Sequence, residues 1–149
     1  MITVKDIMTT EVITVTPDTE ITRAAKILIE KGINGLPVVD DAGRLVGILC
    51  QSDLITQQKK MPIPSFFTLL DAFIPTTSSR QLEKEVKKIT AITVDQAMTP
   101  DPVTVSPADE ISVLADLMVD KKYHTIPVVE NGRLVGVVGN EDVLRTITS

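Results

Sequence analysis

The sequence is poor in the residues that most chemistry uses. Of its 149 residues, one is Cys, one is His, one is Tyr, three are Phe and none is Trp. A lone Cys50 excludes an intramolecular disulfide and any all-cysteine metal site. A lone His124 excludes a histidine metal cluster, and no nucleophile–base pair stands out beside it. No Gly-Lys-Ser/Thr of a phosphate-gripping loop is present. Lys and Arg total 15 against 20 Asp and Glu, for a net charge of −5. A chain of that charge without long basic runs is a poor match to a phosphate backbone, which is held by Lys and Arg. No apolar run approaches the ~18 residues of a membrane span, and Met1–Asp6 carries no apolar targeting core. These absences predict no catalytic residue, no metal, no required cofactor, no nucleic-acid partner and no membrane span. The expected location is cytoplasmic, in a reducing compartment.

What is present is aliphatic and repeated. Hydrophobic residues make up 43% of the chain and aromatics only 3%, so the core must be Val, Ile, Leu, Met and Ala. Charged residues at 23%, with 7 Gly and 9 Pro, exclude a disordered or low-complexity chain. Residues 4–55 align onto 94–144 at an offset of 90 that falls to 89 after one deletion. Asp6-Ile7-Met8-Thr9 matches Gln96-Ala97-Met98-Thr99, and Thr14-Val15-Thr16-Pro17 matches Thr104-Val105-Ser106-Pro107. Pro37-Val38-Val39-Asp40 matches Pro127-Val128-Val129-Glu130. Gly43-Arg44-Leu45-Val46-Gly47 matches Gly132-Arg133-Leu134-Val135-Gly136, and Asp53 matches Asp142.

Each copy reads as a β-α-β-β-α unit of an α/β (α+β) fold. The β-branched run Val12-Ile13-Thr14-Val15 predicts a strand. Thr16-Pro17 and Ser106-Pro107 predict helix starts, a hydroxyl cap followed by Pro at the first helical position. Ile21, Ala24, Ala25 and Leu28, and in the copy Ile111, Leu114, Ala115 and Met118, fall at the spacing of one apolar helical face, which Gly32 would close. Two apolar strands follow, joined by Asp40–Arg44 in one copy and by Asn131-Gly132 in the other, a strong hairpin signal. A short helix is expected from about Ser52-Asp53 and from about Glu141-Asp142, and Met8 and Met98 are expected in the core. The expected division is residues 1–57 for the first repeat, 58–93 for an insertion and 94–149 for the second repeat. Each unit leaves a sheet face uncovered, and a twin packed with pseudo-two-fold symmetry covers it.

In order and twice over, these blocks resemble the CBS domain, the cystathionine β-synthase module, and the tandem resembles a Bateman module. The resemblance implies a regulatory module that binds an adenosine-containing ligand (AMP, ADP, ATP or S-adenosylmethionine) in clefts between the copies, without catalysis. Carried over residue by residue, it implies Thr16 and Ser106 as hydroxyl contacts. Asn34, Gly35 and Leu36, with His124, Thr125 and Ile126, would hold adenine. Asp53 and Asp142 would accept the ribose hydroxyls, a fitting role because a carboxylate is acceptor-only and can take both protons of a cis-diol. Where the family pattern has Ser or Thr three residues before that Asp, this chain has Cys50 and Gly139, which predicts weak affinity. Lys121, Lys122, Arg44 and Arg133 are further candidates for phosphate. Ser106, His124 and Asp142, all from the second copy, are expected to form the better-equipped site. The alternative is a dimerisation or interaction module whose nucleotide sites are empty.

The insertion has no counterpart in the second copy and holds all three Phe residues. It predicts a helix over 65–75 behind Ser65 and a charged helix over 80–89. Phe66, Phe67 and Phe73 either fold back into a groove or form a surface for a homodimer or a protein partner.

Overall fold

The computed structural model describes residues 2–60 and 92–148. The Phe66, Phe67 and Phe73 surface and the two insertion helices lie outside the described residues. The first repeat contains α1 (Val4–Ile7), α2 (Ile21–Lys31), β1 (Gly35–Val39), β2 (Leu45–Cys50) and α3 (Gln51–Lys60). The second contains α4 (Val94–Ala97), β3 (Thr99–Pro100), α5 (Ile111–Asp120), β4 (Thr125–Glu130), β5 (Arg133–Gly139) and α6 (Asn140–Thr148).

Both hairpins form as the apolar runs predict. In β1–β2 Leu36 faces Leu49 and Pro37 faces Ile48. In β4–β5 Glu130 faces Arg133 across Asn131-Gly132, whose φ angles of 53° and 78° are both positive. Such a two-residue turn matches the strand twist and selects Asn-Gly. Gly32 closes α2 in the left-handed region, at φ 62°.

Two local expectations give way to tertiary pairing. The strand over 12–15 contracts to one parallel bridge, Val15 to Val38, repeated by Val105 to Val128. The helices do not begin at Pro17 and Pro107, and Thr16 and Ser106 are not their caps. α2 starts at Ile21 behind Glu20, and α5 starts at Ile111 behind Glu110. The carbonyls that a longer helix would have used internally serve the other repeat instead. Pro17 and Thr19 accept from the amides of Asp95 and Val94 at 3.0 and 2.8 Å, and Pro107 and Asp109 accept from Lys5 and Val4 at 3.0 and 2.9 Å. The first amides of α4 and α1 have no partner within their own helix, so this exchange satisfies both ends. Thr16 becomes part of a turn, its amide donating to Thr19 Oγ1 at 3.1 Å. Ser106 does likewise, its amide donating to Asp109 Oδ2 at 2.8 Å.

The exchange reaches into the cores. Val94 is fully buried among Val15, Leu28, Leu36 and Leu49 of the first repeat. Val4 is fully buried among Leu114, Ile126, Val128 and Val138 of the second. Each such Val contributes about 1.5–3 kcal/mol to the partner repeat. Met98 and Met8 follow, packed half-buried against the same clusters. Two glycines make room for them. A Cβ at Gly47 would stand 2.5 Å from Met98 Sδ and 3.0 Å from the Thr99 carbonyl. A Cβ at Gly136 would stand 2.8 Å from Met8 Sδ and 3.1 Å from the Thr9 carbonyl. The repeated Met-Thr and Val-Gly blocks are therefore two halves of one contact, made between copies.

Candidate functional site

The interlocked lead segments bring one threonine to each repeated aspartate. β3 pairs with β2 so that Thr99 lies opposite Ile48, and Thr99 Oγ1 donates to Asp53 Oδ1 at 3.1 Å. Asp53 Oδ2 accepts the Cys50 amide at 2.8 Å, which caps the start of α3. On the other side Thr9 bridges Val137, and Thr9 Oγ1 donates to Asp142 Oδ1 at 3.3 Å. Asp142 Oδ2 accepts the Gly139 amide at 2.8 Å. The symmetry then breaks. Asp142 is 7% exposed and also bound by Arg145 Nη1 at 2.7 Å. At the position of Arg145 the first repeat has Thr56, which donates to the Ser52 carbonyl at 2.9 Å. Asp53 is half-buried.

A carboxylate has about four lone-pair positions. Asp53 uses two, for Cys50 and Thr99, and Asp142 three, for Thr9, Gly139 and Arg145. Asp53 thus retains acceptor capacity for two further hydroxyls, and Asp142 for one.

Each aspartate lines a cleft between the repeats, and each cleft draws its opposite wall from the other copy. The Asp53 cleft takes Cys50 and Asp53 from the first repeat and Val103, Tyr123, His124 and Thr125 from the second, enclosing about 620 Å³. The Asp142 cleft takes Gly139 and Asp142 from the second repeat and Val12, Ile13, Asn34 and Gly35 from the first, enclosing about 220 Å³. His124 and Asp142, grouped together by the sequence because they share a copy, line opposite clefts. Asn34 and Thr125 line both. There the chain approaches itself closely: a Cβ at Gly35 would lie 3.2 Å from Thr125 Cβ and 3.4 Å from Cys50 Sγ.

The remaining candidates divide. Thr16 and Ser106 line neither cleft, being held in their own turns. Leu36 and Ile126 are buried in the two cores. Cys50 lines the Asp53 cleft with a thiol pushed up to about 11, by burial first and by the Asp53 carboxylate second, so it stays protonated at neutral pH. Gly139 has room for a side chain, a Cβ there making ordinary contacts at 3.8 Å to the His124 carbonyl and 4.0 Å to Asp142 Oδ2. His124 Nδ1 lies 3.0 Å from Asn140 Nδ2. Thr9 and Thr99 were not picked out from the sequence as site residues. Their signal was present in the repeated Met-Thr pair, but its meaning depends on pairing with the opposite copy.

Among the described residues, no group of three or more His, Cys, Asp or Glu side chains is placed to hold a metal ion. No described helix is long and apolar enough to cross a membrane.

Comparison with known proteins agrees with this architecture. The family model for the CBS domain matches residues 4–60 and 92–149. The chain is 31% identical over 134 residues, 88% of its length, to the CBS domain-containing protein CBSX2, chloroplastic, of Arabidopsis thaliana, and spans 56% of that relative. Among solved structures it is similar to CBSX2 in complex with AMP, at TM-score 0.73 and 30% identity, covering 99% of this chain and 97% of that one. It is also similar to the CBS domain pair of protein MJ0100 in complex with 5′-methylthioadenosine and S-adenosyl-L-methionine. There the TM-score is 0.75 and the identity 28%, over 99% of this chain and 97% of that one.

Proposed function

The chain belongs to the CBS domain family as a tandem pair, and from that premise we propose that it is a regulatory module that binds an adenosine-containing ligand in the clefts between its repeats. Asp53 carries the reading. It is a half-buried carboxylate with two acceptor positions in hand, at the wall of a cleft of about 620 Å³. That volume falls within the ~300–1,000 Å³ of small-molecule sites. The two positions match the two hydroxyls of a ribose, and bonds to a charged acceptor are worth about 1.5–3 kcal/mol each. The Asp142 cleft, at about 220 Å³, falls below that range. Its carboxylate already serves Thr9, Gly139 and Arg145. The Asp53 cleft is therefore the stronger ligand site, the reverse of the ranking drawn from the sequence. Solved relatives bound to AMP and to S-adenosylmethionine support the ligand class.

The output is conformational rather than catalytic. Each aspartate is tied to a threonine of the other repeat, so a ribose that donates to the remaining lone pairs of Asp53 binds an acceptor whose position depends on how the two copies are held. A ligand moves such an equilibrium only by its differential affinity for the two arrangements. The apolar side chains that receive the signal are exposed and pseudo-symmetric: Ile29 and Ile55 on one repeat, Val119 and Leu144 on the other, each more than half exposed. They fit a homodimer or a partner protein. Calorimetry with AMP, ADP, ATP, adenosine, 5′-methylthioadenosine and S-adenosylmethionine tests the proposal. Saturable binding to at least one is expected, and no heat from any of them at millimolar concentration overturns it.

A further inference from the structure

The two clefts are assembled from equivalent positions, yet they differ in charge. Gly32, Ile33 and Asn34 at the Asp142 cleft correspond to Lys122, Tyr123 and His124 at the Asp53 cleft. Glu141 at the Asp142 cleft corresponds to Ser52 at the other. The Asp142 cleft is consequently lined by three carboxylates, Glu11, Glu141 and Asp142, and by no Lys, Arg or His among the described residues. Arg145 is not among the lining residues but pairs with two of these carboxylates, Asp142 and Glu141, at 2.7 and 3.6 Å, and offsets part of their charge. The Asp53 cleft sets Lys122 and His124 against Asp53 and Asp101. A phosphate meets repulsion in the first cleft and a cation in the second.

Lys122 also stands out by its backbone. Its φ is 59°, in the left-handed region, where the equivalent Gly32 has φ 62°. A residue with a Cβ is disfavoured there and Gly is not. The left-handed residue ends the helix in both copies, and where one copy has Gly the other puts an exposed lysine at the wall of the Asp53 cleft.

We infer that phosphate-bearing adenosine ligands occupy the Asp53 cleft, with Lys122 as the residue that selects for phosphate, and that the Asp142 cleft takes only ligands lacking one. This rests on the adenosine reading above. The test compares AMP with adenosine on the full chain, by calorimetry and by ligand-induced shifts of backbone amide resonances. Lys122→Gly relieves the strained backbone and is expected to keep or raise the melting temperature. It should weaken AMP about tenfold, as loss of a charge-assisted contact does, and leave adenosine within about twofold. AMP affinity should fall with salt while adenosine affinity holds. AMP should shift the amides of Lys122 and His124 and spare Gly32. If Lys122→Gly weakens both ligands alike, or neither, or if AMP shifts Gly32 as strongly as Lys122, the partition is overturned and the adenosine reading stands. If neither ligand binds, the partition is overturned, and the adenosine reading falls with it only when ADP, ATP, 5′-methylthioadenosine and S-adenosylmethionine also give no heat.

Discussion

Thr99 donates its hydroxyl to Asp53 at 3.1 Å across the boundary between the repeats. Thr9 and Asp142 repeat the relationship at 3.3 Å. The carboxylate proposed to accept a ribose is thus held by both copies, by an amide of its own and a threonine of the other. A change in how the copies are held therefore moves that carboxylate.

The two aspartates should separate binding from stability. Asp53→Ala removes the acceptor with spare capacity and should weaken the adenosine ligand of its cleft by about 2 kcal/mol or more, roughly thirtyfold. Asp142→Ala strips a buried carboxylate from a threonine, a helix-capping amide and Arg145. Because Arg145 itself is 67% exposed, we expect a loss of stability of about 1–3 kcal/mol, rather than the larger cost of a fully buried pair. Thermal melts of both variants, with calorimetry, check the order. Equal melting temperatures would contradict it.

Gly47→Ala and Gly136→Ala should each destabilise by about 1–3 kcal/mol, because the new methyl meets Met98 or Met8 and a backbone carbonyl at or below 3.1 Å. Replacing the facing methionine by Ala in the same chain should recover part of the loss, since the flexible thioether is the nearer obstacle. Denaturant titration of the single and double variants measures the coupling; strict additivity would show that the glycine and the methionine do not share a contact.

Gly139→Ser should be tolerated, with stability changed by less than about 1 kcal/mol, since its Cβ finds only contacts of 3.8 and 4.0 Å. It restores a hydroxyl beside Asp142, and adenosine affinity at that cleft should rise severalfold. Unchanged affinity with a resonance map showing adenosine at the Asp142 cleft would mean the missing hydroxyl is not what limits that cleft.

Cys50 gives a pH signature. Its thiol is pushed up to about 11 in the folded chain from an ordinary 9.0. The stability tied to this group is whole below pH 9 and is lost as pH rises from 9 through 11, because the unfolded chain releases its proton first. Cys50→Ala should flatten the decline of melting temperature across that window. Alkylation by iodoacetamide at pH 8 should be slow compared with a free thiol. Rapid modification at that pH would show the thiol to be open and ionised.

Much of the local fold was legible in the sequence. Asn131-Gly132 demanded the positive φ angles it adopts, Gly32 closed its helix, and the apolar runs joined by short turns predicted both hairpins, because each of these depends on residues a few positions apart. The helix starts were misread for the opposite reason. Thr16-Pro17 and Ser106-Pro107 carry every local mark of a cap, but their turn carbonyls are claimed by amides about 75–105 residues distant. The first strand shrank to Val15 because its neighbour Val38 offered a single parallel bridge.

The sequence by itself determined the duplication, the aliphatic core and the two aspartates, since a repeat is visible wherever residues recur in order. Which halves belong together is settled by packing between the copies. The lead segments cross over, so Val4 completes the second core and Val94 the first. His124 lines the cleft of Asp53 rather than that of its own copy's Asp142. An internal repeat is symmetric in sequence under exchange of its copies, and nothing in residue order distinguishes pairing within a copy from pairing between them. Packing breaks that tie, by placing the unsatisfied helix amides and the methionines where the other copy holds the carbonyls and the glycines.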